Sequence, residues 1–596
     1  MNQKVIVFGV DGLIPELVYK FSEEGYLPNI TRMFQEGSSS KLLPYISTWG
    51  DVNWVSFMTG QTPGNCWEGQ RNPPENNNHL IKLMDQQEKK CALVHFPETL
   101  STEGTKHVSF APFQGDNPFF EISSPTVYST HPNKWYSRTK TEFLGWPPDA
   151  SLAYHEKQNI KPLLKTETTN KFQISMQTRL NIAFQVVITL LDDKKIRIEL
   201  PNEQFIETET DQWSDWITIP FNNELEGITR FKLLKCNPEQ KEIDLLQSQC
   251  NFISGFSNDS KVDRLLTERC GPFISKWTIQ ADPDQLYYES AFEEAEYQAD
   301  WLAKASQILL NEENFDLFAT VYRLNDETHH TCLGLVDPAS PFYTPEKSSL
   351  YEKTIRKSYE ILDKVVGDLL DYKDEDTLLV LASDHGDVPN AYLCDVYRRL
   401  EECNLAKLDE NGKPIWNKTK AYLKNERGGL EIYVNLKGRE KHGIVEPNKY
   451  ETVQNAIFNA LSTWYYETPE YKLNVAGLVL KKQDAPIIGY WGSKMGDVIF
   501  AYNNGFVWGR NLKGDVVSPV SSPGANHGPQ IPTAKTKYSS NYGIVLFHGS
   551  TTKAGYKRDC EQFGPYMMND VGVTIGETLG LKQTELLDGK FMNDLV

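Results

Sequence analysis

The stretch Leu378-Leu379-Val380-Leu381-Ala382-Ser383-Asp384-His385-Gly386 runs from five consecutive apolar residues straight into a carboxylate, an imidazole and a glycine. A continuous apolar run of this length suits a strand buried on both faces, as in a parallel sheet covered by helices. The polar residues then fall where the strand leaves the sheet. The same pattern recurs on either side. Val5–Val10 is apolar and ends at Asp11-Gly12. Phe315–Tyr322 is closely followed by Asp326-Glu327-Thr328-His329-His330. Asn526-His527-Gly528 sits in a Gly/Pro-rich loop ahead of a further apolar run, Tyr542–Phe547.

Between these runs lie segments with apolar residues at helical spacing: Ile14–Phe21, Asn29–Phe34, Ala299–Leu310 and Leu350–Leu370. In the last, Ile355, Leu362, Val365, Val366 and Leu369 form one stripe. Buried strands alternating with amphipathic helices predict an α/β fold, a doubly wound and mostly parallel sheet flanked by helices. Ligands in such sheets collect at the carboxyl ends of the strands.

Residues 124–284 read differently. Phe172, Ile174 and Met176 alternate with polar residues, as do Ile196, Ile198 and Leu200, and Phe231 with Leu233. Half-buried antiparallel strands explain this, so 124–284 is expected to be a β-rich insertion. The core is then expected from 1–123, 285–405 and 515–596. Residues 406–514 form a mixed α/β segment that continues the core or caps the site.

With 596 residues the chain exceeds what one hydrophobic core usually serves. Its net charge of −19, from 61 Lys and Arg against 80 Asp and Glu, argues against duplex nucleic acid or an anionic membrane as partner. A small-molecule substrate is expected; oligomeric state is not legible. Nine Cys without a CxxC pair suit a reducing compartment. The apolar run near residue 5 is too short for a signal-peptide core, so a cytoplasmic location is expected.

Each of the four polar motifs has a plain reading by itself, as a turn, a cap or a solvated pair. One sheet would nevertheless bring all four to the same edge. Asp and His together suit zinc or manganese better than calcium or magnesium. Six such ligands would serve two ions, three apiece. Asp326 and His330 stand four apart and would share a face of one helical turn.

These motifs resemble the type I phosphodiesterase/nucleotide pyrophosphatase branch of the alkaline phosphatase superfamily. The resemblance rests on Val10-Asp11-Gly12, Ser56 to Gly60 ending in Thr-Gly, Asp326 to His330, Ser383 to Gly386 and His527-Gly528. Asp337-Pro338 and Ile432 to Glu440, continuing to Gly443-Ile444-Val445, are similar to a bacterial and archaeal group. The resemblance implies an alkaline phosphatase-like fold and two divalent metal ions, zinc first, with manganese or magnesium as alternatives. It implies that Asp326, His330 and His527 hold one ion and that Asp11, Asp384 and His385 hold the other. The implied chemistry is hydrolysis of a phosphate ester through a Ser or Thr phospho-enzyme, a phosphodiester in preference to a monoester. Asn53 is implied as a donor to the phosphoryl oxygen.

The nucleophile loop departs from the family spacing, which would put the attacking residue at Gly50, where no hydroxyl exists. In Ser47-Thr48-Trp49-Gly50-Asp51, Thr48 is the first candidate nucleophile, with Ser47 and Asp51 as alternatives. Arg439, Trp49 and Trp54 are candidate substrate contacts, although an ion pair for Arg439 and packing for the tryptophans are the plainer readings. Two other functions stay open: a metal-dependent phosphomutase of the same superfamily, and a metal-binding relative without turnover whose nucleophile loop is degenerate. No Cys-x-Pro-x-Arg segment supports a sulfatase.

Overall fold

The computed structural model describes residues 3–46, 51–67, 78–97, 106–111, 118–132, 160–166, 170–180, 183–221, 226–237, 239–240, 242–423, 431–509, 515–528 and 530–596. The central sheet contains β1 (Lys4–Val10), β2 (Ser38–Leu43), β3 (Cys91–Val94), β4 (Val108–Phe110), β5 (Leu317–Tyr322), β6 (Thr377–Ser383), β7 (Gly543–His548), β8 (Tyr556–Lys557) and β9 (Tyr566–Met567). Their order is β8-β2-β7-β6-β1-β5-β3-β4, with β9 also beside β2. Strands β6, β1, β5, β3 and β4 are mutually parallel. Only β7 runs against its neighbours, pairing antiparallel with both β6 and β2. Strand β2 therefore points the same way as β1, and the loop after Leu43 leaves from the sheet's carboxyl edge.

The alternation of side chains along each strand feeds two cores. Ile6, Phe8, Val10, Phe318, Tyr322, Leu379 and Leu381 face one side. There they meet α1 (Pro15–Glu23), α2 (Pro28–Glu36), α4 (Glu289–Gln307), α5 (Leu324–Val336) and α6 (Pro345–Tyr372). Val5, Val7, Leu317, Ala319, Leu378, Val380 and Ala382 face the other side, against α3 (Asp51–Thr59) and α7 (Met568–Thr578). Helices on both faces bury the central strands on both sides, hence the long apolar runs in the sequence. The fold is the doubly wound α/β sheet expected. Helix α6 is longer than its apolar stripe, because Thr344 caps its first turn and Pro345 starts it.

The β-rich part holds mostly antiparallel sheets between Glu121 and Phe252. In one of them Phe172, Ile174, Met176, Ile196 and Ile198 point inward, following the period-two pattern. Residues 253–284 were expected to belong to this insertion; Ile279 does pack against its Val127, Leu234 and Leu246, but other side chains of the segment enter the main core. Helix Ser260–Cys270 puts Val262 and Leu266 into the main core, and Phe273 and Ala281 join them. The reason is an amphipathic period of 3.6 inside a segment read mainly for its strands. Residues from Cys394 to Trp508 build their own apolar cluster around a four-stranded sheet and the helix Tyr450–Ser462.

The insertion is fastened to α4 by charge and aromatic contacts. Lys232 Nζ lies 2.7 Å from Glu293, and Trp213 Nε1–H donates to the same carboxylate at 2.7 Å. The Arg230 guanidinium stacks over Trp213, Trp216 and Tyr297 at 4.2, 4.8 and 4.6 Å. Beside it, Glu294 is fully buried and, among the described residues, neither of its oxygens finds a hydrogen-bond donor. Burial pushes this carboxyl up to about 8, against the pull of Arg230. A folded-state value above the unfolded 4.5 means that the native protein binds the extra proton between those pH values. Stability should therefore fall as pH rises from 5 to 8, by about 1.4 kcal/mol per unit at most. In Glu294→Gln that slope should flatten, read as a melting-temperature difference from the parent that grows with pH. Parallel curves for the two proteins would refute it.

Candidate metal centre

Three adjacent parallel strands end at one level. In register, Val10 of β1 pairs with Tyr322 of β5 on one side and with Ser383 of β6 on the other. The next residues, Asp11, Arg323 and Asp384, therefore emerge side by side. The glycines in these motifs have steric duties. Gly12 has φ +69°, and a Cβ there would come within 2.8 Å of the Asp326 side chain. A Cβ on Gly386 would meet the Ser540 carbonyl at 2.1 Å. Ser383 ties the loops together: it accepts from Leu13 N–H at 2.9 Å and donates to the His385 carbonyl at 2.6 Å.

His527 arrives by a different route. The short antiparallel pair Val388–Pro389 with Ala525–Asn526 carries it in, and Asn541 Nδ2–H donates to its carbonyl at 2.9 Å. The His527 ring then stacks on His385 with centroids 3.5 Å apart and lies 5.7 Å from His330. Residues more than 500 positions apart in sequence thus share one cleft.

Two donor groups result. Asp11, Asp384 and His385 form one, and Asp326, His330, Asp387 and His527 the other, the ligand atoms within each group lying within 4.8 Å of one another. All six residues named from the sequence are there, grouped as the resemblance implied. Asp387 was missed, because Gly386-Asp387-Val388 carries no motif and only the pairing of Val388 with Asn526 brings it opposite His527. His329 had no role assigned from the sequence; it is fully buried, with Nδ1 3.3 Å from Asp387 and Nε2 3.1 Å from the Tyr359 hydroxyl.

The hydrogen-bond pattern suits cations. His330 Nδ1–H donates to the Ala525 carbonyl at 2.8 Å, and His385 Nδ1–H to the Gly386 carbonyl at 3.1 Å. Each ring thereby turns its Nε2 toward the carboxylates, the arrangement that metal-binding imidazoles adopt. His330 Nε2 is 3.3 Å from Asp326, and His385 Nε2 is 3.3 Å from Asp11 and 3.2 Å from Asp384. Among the described residues, Asp326 Oδ1, Asp384 Oδ2 and both Asp387 oxygens accept no hydrogen bond. Buried acceptors facing other acceptors repel unless a cation or proton lies between them. With protein groups alone, burial pushes Asp384 well above the carboxylate range, and Asp11 and Asp326 add to the rise. Burial opposes it, yet the Asp326 carboxylate holds His330 up to about 10. Burial and the neighbouring His385 drive His527 well below its ordinary value. A pair of divalent ions would remove all of this strain at once.

The other expected site residues fare differently. Ser47, Thr48 and Trp49 lie outside the described residues, as does the side chain of Asp51, whose backbone opens α3. Asn53, expected to face a phosphoryl oxygen, instead turns to Tyr45: its Oδ1 accepts from Tyr45 N–H at 2.7 Å and its Nδ2 reaches the Tyr45 carbonyl at 3.4 Å. It secures the backbone at Tyr45. Trp54 is no substrate contact; it is core, edge-on to Phe57 and Phe96 at 5.5 and 5.8 Å. Arg439 is bound to Asp497 at 2.6 Å and Glu440 at 2.8 Å, in the separate apolar cluster of the 394–508 region. Helix direction and partner choice, invisible in a linear motif, account for these corrections. Arg323 was not anticipated: following β5, its Nε lies 3.4 Å from Asp11.

A doubly wound sheet thus carries two acid–imidazole clusters at its carboxyl edge. The chain belongs to the type I phosphodiesterase / nucleotide pyrophosphatase family, whose profile matches residues 5–67 and 246–530. Among solved structures it is similar to wild-type alkaline phosphatase PafA, at 13% identity and TM-score 0.47, over 100% of this chain and 99% of that one. It is also similar to an inactive variant of murine ectonucleotide pyrophosphatase / phosphodiesterase 5 in complex with AMP (12%, TM-score 0.44, 100% of both chains). Phosphonoacetate hydrolase from Sinorhizobium meliloti 1021, in complex with phosphonoformate, is a third (11%, TM-score 0.44, 97% and 95%). No curated protein sequence matches the chain significantly. Among the described residues no helix is long and apolar enough to cross a membrane.

If the clusters bind ions, chelator-treated protein should gain stability on adding zinc or manganese, by about 2.7 kcal/mol at a hundredfold excess over Kd. Asp384→Asn should lose much of that gain in a thermal-shift titration. A parent protein whose melting temperature ignores both metals would contradict the assignment.

Proposed function

We propose that this protein hydrolyses small phosphate esters, phosphodiesters in preference to monoesters, at a site holding two divalent cations. One observation carries the reading: two largely buried clusters of carboxylates and imidazoles meet at the carboxyl edge of three adjacent strands, and Asp326 Oδ1, Asp384 Oδ2 and both Asp387 oxygens find no hydrogen-bond donor among the described residues. Asp326, His330 and His527 would hold one ion, and Asp11, Asp384 and His385 the other. Zinc is the first choice from the mixed imidazole and carboxylate donors, with manganese or magnesium as alternatives.

Bound there, the cations would acidify a hydroxyl, steady the leaving oxygen and neutralise charge on phosphorus. The attacking oxygen in this reading is that of Thr48, with Ser47 and Asp51 as alternatives. Its oxygen bonds to phosphorus as the ester oxygen leaves with the electron pair; water then displaces the side chain and restores it. Two contacts hold the described chain just before Ser47: Asn53 grips the Tyr45 backbone, and the Tyr490 hydroxyl donates to the Ile46 carbonyl. The diester preference follows the family, and selection among diesters is assigned to the β-rich insertion. A cytoplasmic location belongs to the same proposal.

Aryl phosphodiester and monoester substrates, each assayed with zinc and with manganese, test the proposal. Turnover should favour the diester and fall at least about a hundredfold in Asp384→Ala. Thr48→Ala should fall comparably, with Ser47→Ala and Asp51→Ala nearer the parent. Release of free alcohol distinguishes hydrolysis from phosphate transfer within one molecule. A parent protein that binds metal yet turns over none of these substrates would leave the non-catalytic reading in its place.

A further inference from the structure

The Asp387 side chain is fully buried, and neither of its oxygens accepts a hydrogen bond among the described residues. Burying a carboxylate in this way is costly unless a positive charge meets it. The nearest side-chain nitrogen is His329 Nδ1, at 3.3 Å from Oδ2. A chain of contacts holds that ring. Ile14 N–H donates to the Tyr359 hydroxyl at 3.2 Å, so the hydroxyl's own proton is the one available to His329 Nε2, 3.1 Å away. Nδ1 is then the ring atom turned toward Asp387, in a contact that forms no hydrogen bond.

The position of Asp387 supplies the missing partner. Asp387 and His527 leave neighbouring ends of the two-stranded pair, one residue beyond the matched Val388 and Asn526. One Asp387 oxygen lies within 4.8 Å of ligand atoms from Asp326, His330 and His527 alike. We infer that Asp387 is a fourth protein ligand to the ion held by Asp326, His330 and His527, with His329 and Tyr359 as its positioning residues. The inference rests on the two-cation reading and goes beyond it. Two carboxylates and two imidazoles then surround that ion, and its net charge is cancelled by protein groups. The second ion, beside Asp11, Asp384 and His385, keeps fewer protein donors and more of its charge for the substrate.

Metal binding to the whole chelator-treated protein, followed by calorimetry and by the visible absorption of bound cobalt(II), tests the assignment without any turnover measurement. The parent should take up two equivalents. Asp387→Asn, which preserves shape, should weaken one equivalent by about tenfold or more, leave the other unchanged, and alter the cobalt spectrum. Two equivalents bound as tightly as in the parent, with the same spectrum, would overturn the role of Asp387 while leaving the two-cation site standing. A parent that binds no ion would sink both. Should the variant misfold, a manganese-loaded crystal of the parent decides: an Asp387 oxygen at about 2.0–2.6 Å from the ion supports the assignment, and one lying outside that coordination range overturns it.

Discussion

The structure depends on the in-register pairing of three parallel strands, β5, β1 and β6. Hydrogen bonds between Val10 and its partners Tyr322 and Ser383 fix where each strand stops. Because side chains alternate across a strand, a slip of one residue would turn Asp11 or Asp384 toward the opposite face and separate the ligands. The apolar runs on both faces resist such a slip, since each residue is matched to one of two cores. Fold stability and site geometry therefore share a single constraint.

A second theme is how an acidic protein comes to handle an anionic substrate. The net charge of −19 acts at long range and is screened by salt, whereas the paired clusters act over a few ångströms in a buried setting. Concentrating carboxylates there is unfavourable by itself, as the raised Asp384 makes plain. Backbone carbonyls of Ala525 and Gly386 help by fixing the rings of His330 and His385, so each Nε2 is turned toward the carboxylates in advance. The energy of packing is used to hold mutually repelling groups together, which is what makes such a site avid for cations.

Outside that edge the fold is more permissive. The β-rich part packs its own interior and is fastened to α4 through its Arg230, Lys232 and Trp213. The 394–508 region keeps Arg439 and Asp497 for its own cohesion. Both can vary in surface without disturbing the strand register, a suitable division between a constrained chemical centre and adaptable surroundings.

Much of this was legible along the chain. Unbroken apolar runs ending in Asp11, Asp326 or Asp384 announce buried parallel strands with ligands at their ends, because local composition controls burial and strand termination. His527 was legible as a polar motif in a Gly/Pro-rich loop, but its grouping with Asp326 and His330 came from the family resemblance. Asn53 and Trp54 misled, for a motif does not say which way a helical side chain points. Residues 253–284 misled too, as strands nearby masked a helical period. The sequence by itself determined the sheet, its helical layers and six of the seven ligand candidates, because these follow from side-chain polarity and short-range spacing. Only the tertiary structure decided that Asp387 and His329 belong to the site, that Asn53 serves the backbone and that Arg323 stands beside Asp11, because each depends on contacts between segments far apart in sequence.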